Sequence, residues 1–408
     1  MQIDQAVHRP RHGLVMLGFA AVACLGFVLK GSATSITLAL AIFALFELRH
    51  AKVRETLGRL WAGYKHWMIA LMILPVMIAI RELFVEFPRA KYVDSASRQI
   101  LAIPLLLLAA QLPLAVIMKI RWAWLVALTL MLVAGLVFSA PRIRTEFTNT
   151  IPFAAFALMF GVLLWIASEG LSARRRLLCW GGVMVGAIIV FLSASRGVWF
   201  AAPVAVYMGL KVRPGSEIRK LVFVTLISLA IAIAFYLLSP WFKGRVDASV
   251  TNFFAFLSGD KGSASIGQRL QLAFSSWYIF LDHPWFGVGR NILPVLGDLF
   301  AKGVITASVA DMADTHGEIF YNMASLGVFG VFATVWFYVG TTLPFWRARR
   351  SEDHRVAQVG RMGVACNAVF FVTGFTHITL GLAMYASIYA ATQAILLAWL
   401  YKLQRENF

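Results

Sequence analysis

The chain has 408 residues, of which 60% are hydrophobic and only 14% are charged. A soluble protein of this length carries about a quarter charged residues. The composition, with a mean hydropathy of +0.77, therefore excludes a soluble globular protein and indicates a protein embedded in lipid. The formal net charge of +18 does not predict a nucleic-acid partner, since membrane proteins collect Lys and Arg in their cytoplasmic loops. The three cysteines show no disulfide or zinc-site spacing.

Apolar segments recur along the whole chain, each near the roughly 20 residues that a membrane-crossing helix needs. We therefore predict an all-α polytopic membrane protein with about twelve transmembrane helices. The first segment resembles a signal peptide, but apolar segments follow it at once, so we expect it to be retained as a span. The predicted spans are 14–29, 33–47, 66–80, 99–117, 122–139, 151–168, 177–194, 197–210, 221–238, 318–343, 360–376 and 380–401.

The distribution of Lys and Arg predicts how these spans are oriented. With the N terminus in the cytoplasm, inner segments hold more of the 37 basic residues than outer segments, and the 19 acidic residues divide the other way. The short inner loops 173–176 and 347–350 are both rich in arginine. An even number of spans then places both termini in the cytoplasm, which predicts a multi-pass protein of the bacterial inner membrane.

One connection, 239–317, is much longer than the others and is predicted to lie on the periplasmic face. A long loop on a compact scaffold is usually functional or disordered, and the many aromatic residues of this loop argue against disorder. Residues 266–281 predict an amphipathic helix on the membrane surface, ended by the Asp282-His283-Pro284 sequence. The predicted domains are therefore nine spans in 1–238, a periplasmic loop subdomain in 239–317, and three spans in 318–408.

The ionisable residues that stand out lie at the outer boundary rather than inside the spans. Arg196 lies in a tight turn between two spans, Arg269 at the start of the predicted surface helix, and His316 where the long loop re-enters the membrane. Taken alone, each arginine is equally well an anchor at the lipid headgroups, and the histidine a polar cap at a helix start. Transporters usually need titratable groups at mid-membrane, and the spans carry almost none, which favours surface chemistry over transport.

The order of short motifs along the chain is more specific than any one of them. The motifs are Ser195-Arg196-Gly197, Gly267-Gln268-Arg269, Asp282-His283-Pro284 with Gly287-Val288-Gly289, and Thr315-His316-Gly317-Glu318. The pattern resembles the O-antigen ligase and polymerase superfamily. Within it, the long outer loop before the third-last span and the histidine at the end of that loop are most similar to the lipopolysaccharide O-antigen ligases.

The resemblance implies a GT-C-like, inverting glycosyltransferase that moves O-antigen polysaccharide from undecaprenyl diphosphate to a sugar hydroxyl of lipid A-core. His316 would be the catalytic residue, either as general base or by orienting the acceptor hydroxyl. Arg196 and Arg269 would bind the donor diphosphate, because a guanidinium offers phosphate a fixed and permanently charged fork. Arg290 is a weaker candidate for the same role, and Glu318 would contact His316 or an acceptor sugar. We expect no cofactor and no metal, since the outer face offers few clustered carboxylates.

Two alternatives stay open at this point. An O-antigen polymerase or a protein O-oligosaccharyltransferase would use the same donor with a different acceptor, and the motifs do not separate them from a ligase. A lipid or polysaccharide transporter would need charged residues along a mid-membrane cavity. For the ligase, the expected partners are the lipid-linked glycan, lipid A-core and membrane lipids, without nucleic acid.

Overall fold

A computed structural model of the protein describes residues 2–84, 89–138, 142–211, 215–259 and 265–406. Within these ranges the chain forms helices and turns, and no strand. A short 3-10 helix, Arg98–Leu101, lies between the helices Ala90–Ser97 and Ala102–Ala109. The helices are α1 (Gln2–Leu25), α2 (Ser32–Glu47), α3 (Ala51–Glu82), α4 (Ala90–Ser97), α5 (Ala102–Ala109), α6 (Leu114–Ile117), α7 (Ile120–Phe138), α8 (Thr150–Ala167), α9 (Ala173–Leu192), α10 (Arg196–Gly209), α11 (Glu217–Leu238), α12 (Pro240–Leu257), α13 (Ser265–Asp282), α14 (Leu293–Ala301), α15 (Ala307–Ala310), α16 (Glu318–Ala348), α17 (His354–Thr373) and α18 (Ala383–Glu406).

The predicted spans correspond to helices, and the all-α polytopic membrane fold is confirmed. In the described part of the chain, nine helical stretches are long and apolar enough to cross a membrane, while the apolar part of α1 (Arg11–Leu25), α2 and α10 are shorter. One boundary was predicted wrongly. The span placed at 99–117 instead runs from Ala90 to Ala109, and the next begins at Leu114, because Pro113 disfavours helical geometry in the residue before it. The exact number of spans stays a prediction.

The turns between helices fall into two groups, one at each end of the bundle. At the end that we call outer, the N–H of Glu318 donates to the carbonyl of Gly374 at 2.7 Å. At the inner end, Arg361 forms a bidentate ion pair with Glu169 at 2.6 and 2.8 Å and donates to the carbonyl of Gly209 at 2.9 Å. The ends of α8 and α10 therefore lie at the inner end beside α17, while the start of α16 lies with the end of α17 at the outer end. The full topology, and which end faces the periplasm, stay predictions.

Helix α8 lies at the centre of the bundle and is packed against α7, α9, α10 and α17. Its sequence is apolar on every side, which is typical of a helix that no solvent or lipid reaches. The Phe156 ring packs against the rings of Phe27, Phe370 and Tyr385, so aromatic contacts tie α8 to α17 and α18. Helix α11 is the opposite case: only Val224 is buried, and its other apolar residues are free to face lipid.

Helix α16 is broken at Gly327, which has a φ of +62° that few residues other than glycine adopt. The break releases backbone groups that would be costly to leave unpaired within a membrane. The N–H groups of Val288 and Gly289 pair with two of them, donating to the carbonyls of Ala324 at 3.2 Å and Ser325 at 2.9 Å. The Gly287-Val288-Gly289 motif thus fills the break in α16.

The same segment is held from two further sides. The carbonyl of Pro284 accepts the N–H of Val328 at 2.7 Å, just beyond the break. Arg81, at the end of α3, donates to the carbonyls of Phe286 at 3.0 Å and Gly287 at 3.2 Å. The connection between α13 and α14 is therefore a packed part of the bundle rather than a free loop.

The helix predicted at 266–281 is present as α13, within a region that has its own small core, and its place on the membrane surface stays a prediction. Leu272 and Ile279 of α13 are buried in a cluster with Tyr321 of α16. The side-chain oxygen of Gln271 accepts the backbone N–H of Thr306 at 2.9 Å, which ties the α14–α15 connection to α13. These contacts give α13 a fixed position beside α16, and Arg269 lies near its start.

Candidate active site

The turn between α9 and α10 positions Arg196 as the first residue of α10. Ala194 adopts a left-handed backbone conformation with a φ of +53°, which is uncommon for a residue other than glycine. Gly197 lies directly against the side chain of Thr376, where a Cβ atom would clash. The turn is therefore tight and fits closely onto the loop between α17 and α18, which fixes the backbone position from which the Arg196 side chain extends.

Helix α12 brings a second arginine to this turn. Arg245 donates through Nη2 to the carbonyl of Ala194 at 3.4 Å, while Arg196 donates to a serine hydroxyl on α12. Trp199 of α10 stacks on Phe242 with ring centres 4.9 Å apart, which fixes α12 beside the start of α10. The Nε of Arg245 is buried and has no hydrogen-bond partner in the part of the chain that the structure describes.

Arg142 and Arg269 join Arg196 and Arg245 in a group that we call the arginine cluster. The charges of Arg245, Arg269 and Arg142 all act on Arg196. Burial, and then the charge of Arg142, lower the pKa of Arg269, and burial, and then Arg245, lower the pKa of Arg142. Among the described residues none of the four forms an ion pair with a carboxylate. Like charges held together without a counter-ion favour the binding of an anion.

Arg142 and Arg269 reach the cluster from different parts of the chain. Ile143 is buried and packs on Gly135 of α7, which holds the connection between α7 and α8 that carries Arg142. Arg269 lies on α13, and Leu272, one turn further along, is fully buried. Buried apolar neighbours therefore fix the position of both arginines.

His316 and Asp314 form a hydrogen-bonded pair just before α16. Nδ1 of His316 lies 2.8 Å from Oδ1 of Asp314, and the backbone N–H of His316 donates to the same oxygen at 2.8 Å. Burial alone would raise the pKa of Asp314, but the hydrogen bonds from His316 outweigh it and lower that pKa, so the carboxylate is charged. A charged carboxylate holds the proton on Nδ1, which leaves Nε2 free to accept a proton.

The backbone of His316 is also unusual, with a φ of +53°. Histidine is one of the few residues besides glycine that adopt this conformation with some frequency. The carboxylate of Asp314 stabilises it through the backbone hydrogen bond, so one acidic side chain orients both the main chain and the ring of His316. Strained conformations of this kind concentrate at functional sites.

A second imidazole, His377, lies beside this pair in the loop between α17 and α18. The charges of Asp314, His316 and Arg269 all act on it. Burial lowers the pKa of His377 to about 4, so the ring is neutral at pH 7. Its Nδ1 lies 2.7 Å from the carbonyl of Ile378 and therefore carries the proton, which makes Nε2 a hydrogen-bond acceptor.

Glu318 stabilises the site from within the fold. Its buried carboxylate accepts the backbone N–H groups of Thr379 at 3.3 Å and Leu380 at 3.0 Å. With the bond from its own N–H to Gly374, these contacts hold the loop that carries His377 against the start of α16. A carboxylate used in this way fits a supporting role, and it does not fit contact with an acceptor sugar.

Arg290, which the sequence suggested as a phosphate ligand, lies in a different environment. It is buried and donates through Nη1 to Oδ1 of Asn322 at 2.8 Å and to the hydroxyl of Ser325 at 3.3 Å. Its guanidinium carbon lies 4.4 Å from the ring centre of Tyr321, and the carboxylate of Glu318 is among the charges that act on it. The predicted diphosphate role does not fit, because the side chain is already used to stabilise the broken α16.

The structure brings together three of the residues selected from the sequence with four that were missed. Asp314 could have been found, since it lies two residues before His316 and a carboxylate commonly orients a functional histidine. In the described ranges no three His, Cys, Asp or Glu side chains come together as a metal site. The selected residues are Arg196, Arg269 and His316, and the missed ones are Arg142, Arg245, Asp314 and His377.

Comparison with known proteins gives one match. Residues 181–335 match the family described as O-antigen ligase. The matched region runs from α9 into α16 and includes three members of the arginine cluster together with the Asp314–His316 pair. Arg142 and His377 lie outside it. No curated protein matches the chain.

Proposed function

We propose that the chain is a member of the O-antigen ligase superfamily and transfers O-antigen polysaccharide from undecaprenyl diphosphate to a sugar hydroxyl of lipid A-core at the periplasmic face. The family match over residues 181–335 supports a membrane enzyme of polysaccharide processing. The donor, the acceptor and the periplasmic location of the site are parts of the proposal.

The observation that carries the proposal is the arginine cluster beside a polarised histidine. Within the described ranges the four guanidinium groups have no carboxylate partner, which suits a ligand of high negative charge. The Nε of Arg245, which has no hydrogen-bond partner within the same ranges, is a donor that such a ligand would satisfy. A diphosphate has this charge, and planar guanidinium forks fit its oxygens. We therefore place the donor diphosphate at the cluster.

The reaction would be a direct displacement at the anomeric carbon of the donor sugar. The acceptor hydroxyl attacks that carbon, a new C–O bond forms, and the C–O bond to the diphosphate breaks. The bonding electrons leave with undecaprenyl diphosphate, and the negative charge that develops there is stabilised by the arginines. A single displacement inverts the anomeric configuration. Positively charged side chains can supply this stabilisation without a metal ion, so we propose metal-independent transfer.

His316 would accept the proton of the attacking hydroxyl. Its Nε2 is unprotonated when Asp314 holds the proton on Nδ1, and the side chain is partly exposed, so an acceptor can reach it. Positive charge on the ring during the transfer would be stabilised by the Asp314 carboxylate. Nε2 of His377 offers a neutral acceptor for another hydroxyl of the same sugar.

The polyprenyl chain of the donor would lie against α12 and α13. Both helices expose large apolar side chains close to the arginine cluster, among them Phe254, Phe274 and Trp277. No residue of α12 is buried. Exposed apolar surface of this extent usually marks contact with lipid or with a partner.

The direct test is transfer in vitro by the purified full chain. Polysaccharide on undecaprenyl diphosphate is offered to lipid A-core, to a second lipid-linked glycan, and to protein. Transfer to lipid A-core supports the proposal. Transfer only to the lipid-linked glycan identifies a polymerase, and transfer only to protein identifies an oligosaccharyltransferase. A folded chain that transfers to none of the three contradicts the assignment as a transferase.

Substitutions then test the site itself. His316→Asn keeps a residue that tolerates the left-handed backbone but removes the base, and transfer should fall by about 10²- to 10⁴-fold. His283→Asn is the matched control, since His283 is an exposed histidine at the end of α13. Equal activity of both variants would show that His316 is a structural cap.

The two arginines added by the structure are tested in the same assay. Arg245→Lys and Arg142→Lys keep the charge but lose the guanidinium fork, and kcat/KM should fall roughly 10- to 100-fold for each. Arg144→Lys, at an exposed arginine two residues from Arg142, should change little. Unchanged kcat/KM in both cluster variants would favour headgroup anchors over diphosphate ligands.

A further inference from the structure

Two cavities at the inner end of the bundle have no part in the proposed reaction. The first, of about 670 Å³, lies between the α6–α7 region and the start of α9 and is lined by Lys119, Arg121, Arg174 and Arg175. No carboxylate lines it in the part of the chain that the structure describes. Four cations around one cavity without an acidic side chain indicate a site for an anion.

Arg121 is stronger evidence for an anion site than exposed charged residues are. Its side chain is only 9% exposed, and it donates to the carbonyls of Met118 at 2.8 Å and Ala167 at 3.3 Å. It forms no ion pair with a carboxylate of the described residues, while the like charge of Arg175 acts on it. A nearly buried charge without a counter-ion is costly, and an anion in the cavity would offset that cost.

The start of α9 adds to the positive potential. Arg174 and Arg175 lie in the first turn of this helix, which has no acidic residue there, and the side chain of Ser172 does not cap it. Cations at the positive end of a helix are unfavourable, whereas an anion at the same place is favourable. The protein thus places two arginines at the N terminus of α9, where the helix dipole disfavours positive charge.

The second cavity, of about 700 Å³, is mostly apolar and shares Lys119 and Trp122 with the first. It runs between α1 and the α6–α7 region from near Gly13 to Cys24, a length of about 17 Å along the helix axis. At its far end the thiol of Cys24 donates to the carbonyl of Ala123 at 3.3 Å, so the two helices close together there. The groove therefore has an apolar lining, and a volume and length that can hold much of an acyl chain.

We propose that these joined cavities bind one anionic glycerophospholipid, with the phosphate headgroup among Lys119, Arg121, Arg174 and Arg175 and an acyl chain in the groove beside α1. Charge complementarity selects the headgroup, and the apolar groove distinguishes a lipid from free phosphate. Trp122 lies between the two parts, as an amphipathic ring does at the boundary of headgroup and hydrocarbon. Basic pockets between helices on the cytoplasmic side are known to suit such lipids.

The test is lipid binding to the purified full chain, measured by native mass spectrometry with phosphatidylglycerol and with phosphatidylethanolamine of the same acyl chains. We expect one tightly held phosphatidylglycerol. Arg174→Gln with Arg175→Gln should weaken it about 25-fold, at about fivefold for each arginine. The matched control is Arg176→Gln with Arg219→Gln, which removes the same charge from exposed arginines outside the cavity and should change the affinity less than twofold.

The groove is tested separately. Gly13 lines the groove, and a Cβ atom added there would meet no atom within 4 Å, so the backbone of α1 tolerates a side chain at this position. Gly13→Phe should therefore place its ring in the groove and reduce the bound lipid at least tenfold. Gly58→Phe on α3, where there is equal space, is its control. Inorganic phosphate that displaces the lipid from the unaltered chain at millimolar concentration would show a free-phosphate site and overturn the proposal. Equal binding of the two phospholipids, or unchanged binding in Gly13→Phe, would overturn it as well.

Discussion

The most informative single change at the site is Asp314→Asn. One oxygen of Asp314 accepts both the backbone N–H and Nδ1–H of His316, each at 2.8 Å. Asparagine keeps a carbonyl oxygen at the same place, so the backbone bond and the left-handed conformation can persist. What is lost is the negative charge opposite the ring when the ring takes up the acceptor proton.

The size of the effect follows from that loss. A hydrogen bond to a charged partner contributes about 1.5–3 kcal/mol, and each 1.4 kcal/mol corresponds to a factor of ten in rate. We therefore expect kcat to fall roughly 10- to 100-fold, with little change in the KM for the lipid-linked donor.

The assay is steady-state transfer of a purified lipid-linked glycan, with kcat, KM and the pH profile measured separately. Asp311→Asn is the matched control, because Asp311 is an exposed acidic residue three positions earlier in the same connection. If Asp314→Asn and Asp311→Asn have the same kcat and the same pH profile, the pair does not assist catalysis. A loss confined to protein yield would likewise assign Asp314 to folding alone.

Three further predictions concern metal, the inner ion pair and pH. Transfer should continue at the same rate in EDTA. A loss of transfer that Mg²⁺ restores would contradict the proposal that arginines stabilise the departing diphosphate without a metal ion. Arg361→Met should lower the free energy of unfolding by roughly 3 kcal/mol, because it leaves the carboxylate of Glu169 without its main partner, and thermal unfolding in detergent measures the loss. The low pKa of His377 means that unfolding takes up a proton as the pH falls from about 6.5 towards about 4, so stability should fall by up to roughly 3 kcal/mol over that window. His377→Gln should flatten this slope, and an unchanged slope would show that another group causes it.

Hydropathy and periodicity were enough to predict most of the scaffold. A run of apolar residues near the length of a membrane crossing leaves few choices for the backbone, and α13 appeared where 266–281 predicted an amphipathic helix. The misplaced boundary at 99–117 has a local cause, since hydropathy does not register the break before Pro113. The break in α16 was not predicted either, because its compensation comes from Val288 and Gly289, far from Gly327 in sequence.

The sequence predicted site residues only where they lie in a recognisable motif. Arg142 and Arg245 lie in stretches of ordinary composition, and their sequence gives no reason to distinguish them from Arg144. Only the fold brings them beside Arg196. Arg290 shows the converse, since a glycine-rich neighbourhood suggested phosphate binding, whereas its actual partners come from α16. An arginine in a sequence motif is therefore weak evidence for a phosphate site until its contacts in the folded protein are known.

The position of Arg269 indicates how the donor sugar is oriented in the proposed reaction. The charge of Arg142 acts on Arg269, and the charge of Arg269 acts on His377, so Arg269 is the member of the arginine cluster that lies towards His377. In a direct displacement, the attacking oxygen and the departing oxygen lie on opposite sides of the anomeric carbon. The proposal therefore requires the reacting sugar to lie between Arg269 and His316. A protonated His377 would draw the departing diphosphate towards the base, whereas burial keeps this ring neutral. The neutrality of His377 thus leaves the arginine cluster as the place where the negative charge is stabilised.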